Sequence, residues 1–261
     1  MVKWRTPLLS RPIYLRLISN ASLIGAPESQ EDSIRQTFIA VLAALSKKSR
    51  GGAFWDIGAN IGLYSWFCAD TRPDFSVVSF EPDAKNLECL RKTSAAWKLP
   101  NHQIVAKAVS DEVGRTTFYT DEISRATGTL EPAANAFNAK HYGAVPRAVE
   151  VETVTLDHLL AEGWPAPLVV KIDVEGAELR VLHGGRNFFA EHRPILLLET
   201  FGDRPRVFAA LKEFGYKCYD SDRRTEVVPE TVNVLGLPPE LDQDAAAALA
   251  ALDYPLIAGL V

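Results

Sequence analysis

Three acids within six residues, Asp173, Glu175 and Glu178 in the run Lys171-Ile172-Asp173-Val174-Glu175-Gly176-Ala177-Glu178, are the densest chemistry-bearing feature of this chain. Carboxylates that converge in a dry cleft raise one another's pKa, and a carboxylate tuned in this way can take a proton from a hydroxyl. Asp173 closes an apolar run, Leu168–Ile172, that only Lys171 interrupts, and Gly176 permits a turn into the next helix. Asp173 is thereby expected at the carboxyl end of a buried strand, the edge on which open α/β sheets bind ligands. It reads as a base or an orienter, or else as a helix cap. Glu175 reads as a contact to a substrate or to the amino end of a cofactor, and Glu178 equally well as a solvated helix residue. His183, at the end of that helix before Gly184-Gly185, is a further candidate base, although a histidine there also suits the helix dipole. Glu199 ends the apolar run from Ile195 and supplies a second acid on the same edge.

A second constellation lies upstream. The run Phe54-Trp55-Asp56-Ile57-Gly58-Ala59-Asn60-Ile61-Gly62 leads an apolar strand into an acid, a glycine-rich turn and a helix opening at Leu63. Gly58 and Gly62 allow a sharp turn and let a ligand approach where a Cβ would clash. Asn60 is the residue type that, after glycine, best tolerates the left-handed conformation. The backbone N–H groups of this turn then face the ligand. Glu81, followed by Pro82, ends the apolar run Val77–Phe80 and is placed to accept hydrogen bonds from two ribose hydroxyls.

Two ligand classes use such a strand–turn–helix–strand–acid unit. A dinucleotide site asks for G-x-G-x-x-G, whereas this chain has Asn60 and Leu63 at the second and third glycine positions. Asp56, two residues before Gly58, is a poor neighbour for a pyrophosphate and suits an ammonium group, such as that of S-adenosylmethionine. Adenine is then expected against the next strand end, Ala108–Asp111, with the backbone of Val109 and Ser110 reading the base.

The elements needed to position these groups follow from periodicity. Apolar residues Ile34, Phe38, Val41, Leu42 and Leu45 predict an amphipathic helix over 29–48. Strands are expected at Ala53–Ile57, Ser76–Phe80, Gln103–Val109, Leu168–Ile172 and Ile195–Leu198. Helices are expected at Leu63–Ala69, Asp83–Trp97, Glu178–His183 and Asp203–Phe214, the last capped by Asp203 with Pro205 in its first turn. This alternation predicts a doubly wound, mostly parallel sheet. Residues 120–147 read as a long loop or lid, with Arg125, Thr129, His141, Tyr142 and Arg147 able to bind a sugar or an anion. Residues 1–27 show no period and read as an arm, and Asp244–Leu252 as an Ala-rich outer helix. The expected units are an arm and helix at 1–50, a cofactor-binding domain at 51–235 and a tail at 236–261.

The motifs Phe54–Ser65 (FWDIGANIGLYS), Ser79–Pro82 (SFEP), Ala108–Asp111 (AVSD), Thr155–Leu159 (TLDHL), Lys171–Glu178 (KIDVEGAE) and Ile195–Glu199 (ILLLE) together resemble the FkbM-type S-adenosylmethionine-dependent methyltransferases. The resemblance spans roughly residues 53–200. It implies a class I, Rossmann-like fold with a seven-stranded sheet, and O-methylation of a hydroxyl, commonly on a sugar or polyketide. It says nothing of the arm or the tail.

Composition bounds the alternatives. A net charge of -5 argues against a dedicated nucleic-acid surface, and Lys3, Arg5, Arg11 and Arg16 read as a solvated segment. Cys68, Cys89 and Cys218 are scattered without CxxC spacing, which suits a reducing compartment. No signal-peptide core or membrane-length apolar run is seen, so a cytoplasmic location is expected. The histidines lack metal-ligand spacing, and no metal is expected, a magnesium ion between Asp173 and Glu199 being the weaker reading. An NAD(P)-linked oxidoreductase or epimerase shares the fold but lacks its fingerprint. A non-catalytic nucleoside-binding protein would keep the turn and lose the acids. The expected partner is a small molecule or carbohydrate, and a homodimer through the 29–48 helix or the tail stays open.

Overall fold

Alternation along one strand divides the core into two layers. All five residues of β3 (Ala53–Ile57) are buried, yet Phe54 joins one apolar cluster while Trp55 and Ile57 join another. Successive side chains leave opposite faces of a strand, so a central strand needs cover on both sides. The computed structural model describes residues 1–6, 8–16, 32–45, 51–121, 128–134, 140, 146–241 and 243–255.

β3 lies between β4 (Ser76–Phe80) and β9 (Val169–Ile172), parallel to both. Outside them run β5 (His102–Val105) and β10 (Ile195–Glu199), also parallel. β13 (Asn233–Leu237) pairs antiparallel with β10, followed by β11 (Lys217–Asp220) and β12 (Thr225–Glu226). The order is β12-β11-β13-β10-β9-β3-β4-β5. This is the doubly wound, largely parallel sheet of a class I, Rossmann-like fold. It has eight strands where seven were expected, the addition being the two-residue edge strand β12.

Helices α1 (Asp32–Leu45), α2 (Leu63–Thr71), α3 (Ala84–Trp97) and α8 (Gln243–Ala250) cover the Phe54 face. Helices α4 (Leu156–Ala161), α5 (Glu178–His183), α6 (Arg186–Glu191) and α7 (Arg204–Glu213) cover the Trp55 face. The apolar stripe of α1 is buried as its period requires. The Ala-rich α8 shares its core, and the hydroxyls of Thr37 and Tyr254 lie 2.8 Å apart. Side chains satisfy the free N–H groups of helix starts, Asp83 for α3 and Asp203 for α7.

Two expectations need correction. The extended stretch Gln103–Val109 divides into β5 in the main sheet and β6 (Ala108–Val109) in a second one, ordered β6-β8-β7. Residues 120–147 are not loop throughout. β7 (Gly114–Asp121) and β8 (Pro146–Val154) form a long antiparallel pair in which Thr120 faces Arg147 and Asp121 faces Pro146. Their outward charged residues obscured the alternation of a ladder whose inner face carries Phe118 and Val151. Arg125, His141 and Tyr142 lie outside the described residues.

The arm is structured where it is described. β1 (Val2–Trp4) and β2 (Ile13–Leu15) pair antiparallel, too short to show a period. They dock on α3: Tyr14 N donates to Thr93 Oγ1 at 2.9 Å, and Trp97 Nε1 donates to the Pro12 carbonyl at 2.8 Å. Arg11 lies 4.1 Å above the Trp97 ring rather than free in solvent.

Candidate functional site

The chain runs from β3 outward through β4 and β5, then returns to β9 on the other side of β3. The carboxyl ends of β3 and β9 therefore mark the switch point at which open α/β sheets bind ligands. Here the two strand ends touch. Asp173 N donates to the Ile57 carbonyl at 2.9 Å, and a Cβ on Gly58 would overlap the Asp173 carbonyl oxygen. A cleft opens above this junction, with walls from the turns that follow β3 and β9, the end of β4 and the start of α3, β6, β7 and the 128–130 segment.

On the β4 side the turn after β3 is shaped by positive backbone angles at Gly58 (φ +76°), Asn60 (φ +52°) and Gly62 (φ +87°). Asn60 takes the left-handed conformation its residue type allows. Its N–H donates to Glu81 Oε2 at 2.7 Å, and Asp83 N donates to Glu81 Oε1 at 2.8 Å. Burial outweighs these two donors and pushes the Glu81 carboxyl up to about 8. A carboxyl that still holds a proton near neutrality can donate as well as accept, which suits a diol. The side-chain oxygen of Asn60, buried in the same wall, has no hydrogen-bond partner among the described residues and so offers an acceptor to a ligand.

On the β9 side the acids gather. Lys171 Nζ lies 2.7 Å from Asp173 Oδ2. Glu175, at φ +52°, has its carboxyl held well above the usual range, first by burial and then by the charges of Asp173, Glu199 and Glu178. Glu178 is fully buried, not solvated: its Oε1 accepts from Gly176 N at 2.8 Å and so fixes the turn beneath Glu175. Among the described residues the carboxyls of Glu81, Asp83, Asp173 and Glu175 line the cleft beside one cation, Lys107, and those that ionise favour a bound cation over a pyrophosphate.

Of the residues singled out in the sequence, Gly58, Asn60, Glu81, Pro82, Val109, Asp173 and Glu175 line the cleft together. Others do not. Asp56 is 1% exposed and faces the core, where Ser65 N and Oγ donate to its Oδ2 at 3.0 and 2.6 Å. Its carboxylate anchors the first turn of α2 through Ser65 and lies outside the cleft lining. Ala59 is buried, with its N–H on the Phe80 carbonyl. Gly62 is required by packing, since a Cβ there would strike Leu90 and Trp66. Ser110 is buried, its carbonyl packed against Gly184 and its N–H committed to the Val154 carbonyl at 2.9 Å. His183 is exposed in the last turn of α5, whose first turn is the end near the cleft. Glu199 is outside the lining but acts on Lys171 and Glu175 through its charge.

Thr120 and Leu130, from the segment expected to wall the cleft, also line it, as do Asp83, Asn86, Lys107 and Phe118, which were not foreseen. Thr120 Oγ1 donates to Asp83 Oδ2 at 2.7 Å and so ties the second sheet to the first helix turn after Glu81. The helix-capping position of Asp83 was a usable signal, but the ladder that brings Phe118 and Thr120 here was not. Thr129 Oγ1 donates to the Glu175 carbonyl at 2.7 Å and so closes the cleft on the acid side. Among the described residues no group of His, Cys, Asp and Glu could hold a metal ion, and no helix is long and apolar enough to cross a membrane.

Comparison with known proteins gives a consistent picture. Residues 56–218, more than half of the chain, match the family model described as methyltransferase FkbM domain. The chain is 30% identical over 145 residues to the hexuronic acid methyltransferase AglP of Haloferax volcanii, covering 55% of this chain and 54% of that protein. It is 30% identical over 155 residues to the 31-O-demethyl-FK506 methyltransferase FkbM of Streptomyces tacrolimicus, covering 51% of this chain and 59% of that protein. It thus spans little more than half the length of either relative. Among solved structures, methyltransferase FkbM from Methylobacillus flagellatus KT aligns at 19% identity with a TM-score of 0.46, over 76% of this chain and 47% of that chain.

Proposed function

The chain belongs to the FkbM family of S-adenosylmethionine-dependent methyltransferases, and from that premise we propose that it methylates a hydroxyl of a sugar, glycoconjugate or polyketide-type natural product. The observation that carries the reading is one cleft holding a diol-suited carboxyl, Glu81, at one strand end and the acid pair Asp173–Glu175 two strands away. S-Adenosylmethionine, when bound, supplies a methyl carbon activated by a sulfonium. The residues present fit that molecule: Glu81 for the ribose, the apolar side chains of Val109, Phe118 and Leu130 for the base, the orphan Asn60 oxygen for a polar donor, and the acid side for the cation.

The remaining work belongs to the protein. Asp173, fixed by Lys171, orients the acceptor hydroxyl, and orientation alone contributes several kcal/mol, up to about 7–11 in the best-oriented cases. Glu175, whose carboxyl is held above the usual range by burial and by neighbouring acids, takes the hydroxyl proton as the new bond forms. The walls from β7 and the 128–130 segment exclude water from that transfer. The relative named for 31-O-demethyl-FK506 supports an oxygen acceptor, and the one named for a hexuronic acid supports a sugar-type substrate.

The test uses radiolabelled S-adenosylmethionine and a panel of uronic-acid oligosaccharides and hydroxylated polyketides. Label transferred to a product stable to mild alkali is expected, as for a methyl ether. Alkali-labile label would place the methyl on a carboxyl, and label found only on nitrogen would overturn the hydroxyl assignment.

A further inference from the structure

A polar row crosses the centre of the sheet where the packing otherwise calls for apolar residues. Ser79 on β4 faces Asp56 on β3, and Asp56 faces Lys171 on β9. These side chains share the face on which Phe54, Val77 and Val169 pack into the core. Ser65 Oγ lies 2.6 Å from Ser79 Oγ and donates to Asp56 Oδ2, while Ser79 Oγ lies 2.8 Å from His102 Nε2. Lys171 is 4% exposed. Its ammonium lies 4.6 Å from the Tyr64 ring centroid and reaches Asp173 Oδ2 at the floor of the cleft.

Burying an ammonium costs several kcal/mol, and a well-packed apolar residue would serve the fold as well or better. What an apolar residue would not do is hold the Asp173 carboxylate. We propose that Lys171 is a positioning residue for the acid side of the cleft: its ammonium pins Asp173 and supplies the positive charge against which the cleft acids ionise. The inference rests on reading the cleft as the S-adenosylmethionine site.

The groups facing Lys171 are Asp56 from β3, Tyr64 from α2, Asp173 beyond its own strand and Glu199 from β10. Glu175 faces Asp173, Glu199, Glu178 and, as its stabilising partner, Lys171. Removing the ammonium leaves these acids to repel one another, so they keep their protons to higher pH. S-Adenosylmethionine and S-adenosylhomocysteine differ by one methyl group and one positive charge. The ratio of their affinities therefore reads the negative charge on the acid side.

The experiment measures both affinities by titration calorimetry between about pH 5.5 and pH 9, for the wild-type protein and Lys171→Met. In the wild type the preference for S-adenosylmethionine rises with pH as the acids ionise. In Lys171→Met the midpoint of that rise moves up by roughly one pH unit or more. A purely structural role would lower the melting temperature and leave the midpoint in place, and that result overturns the proposal. If Lys171→Met does not fold, Glu199→Gln carries the test. With one acid fewer competing for Lys171, the midpoint falls by about half a unit, and an unmoved midpoint is again fatal. Failure of both ligands to bind the wild type would instead overturn the cofactor reading itself.

Discussion

Replacing Glu175 by glutamine lowers the rate of methyl transfer by about 10²–10⁴-fold, the usual worth of a general base, and leaves S-adenosylhomocysteine binding within about threefold of wild type. Glutamine keeps the size of the side chain and removes its capacity to take a proton. The case for Glu175 over Asp173 is electrostatic. Asp173 has one oxygen committed to Lys171 at 2.7 Å, whereas burial and the charges of Asp173, Glu199 and Glu178 raise the Glu175 carboxyl. A base of raised pKa gains more from accepting a proton in the transition state. The backbone supports this assignment. Glu175 sits at φ +52°, a conformation costing an L-residue of this kind about 1–2 kcal/mol. Thr129 and Glu178 hold the turn on either side of it, and strain maintained this way is common where a side chain has to be aimed. The sign of the pH dependence follows: activity rises with pH as Glu175 loses its proton, and the glutamine variant lacks that rise. Initial rates with labelled S-adenosylmethionine check both points, and a wild-type rate in Glu175→Gln would move the proton acceptor elsewhere.

Gly58→Ala destabilises the fold by roughly 3–5 kcal/mol, at the upper end of what single substitutions do. Two costs add. The residue sits at φ +76°, and the added Cβ overlaps the carbonyl oxygen of Asp173. That oxygen is main chain at the end of a central strand, tied in place by the Asp173 N–H on the Ile57 carbonyl, so it has little freedom to yield. Thermal unfolding should show the melting temperature falling by roughly 6 °C or more. Gly114→Ala, where nothing lies within 4 Å of the new Cβ, serves as the control and should unfold like the wild type. Equal melting temperatures for the two variants would show that the β3–β9 junction is looser than described.

The same glycine shows how far residue types and spacing reach. The turn after β3 was legible because glycine and asparagine are the residues that tolerate positive φ, and Gly58, Asn60 and Gly62 all adopt it. What those glycines make room for was not legible. Gly58 admits the neighbouring strand and Gly62 admits Leu90, contacts set by residues far away in the chain. Asp56 misled for a related reason. An acid at a strand end looks the same whether it points to a ligand or to a helix start, and here Ser65 takes it. Asp173 and Glu81 were legible on the binding edge because each follows an apolar run read as a strand, and parallel topology puts the carboxyl ends of such strands there. The segment 120–147 was expected to line the cleft, and Thr120 and Leu130 do, but Phe118 stayed hidden, since the pairing of β7 with β8 is a long-range choice that local pattern does not encode. Lys171 looked like a mere interruption of an apolar strand until its cross-strand neighbour, Asp56, was known.

The central claim is that the cleft between Glu81 and the Asp173–Glu175 pair binds S-adenosylmethionine and rejects a dinucleotide. Titration calorimetry of the wild-type protein with S-adenosylhomocysteine, and separately with NAD, tests it most directly. Saturable binding of S-adenosylhomocysteine is expected at about millimolar concentration or below, corresponding to roughly -4 kcal/mol or better, with no heat of binding for NAD. Binding of NAD with no response to S-adenosylhomocysteine would contradict it.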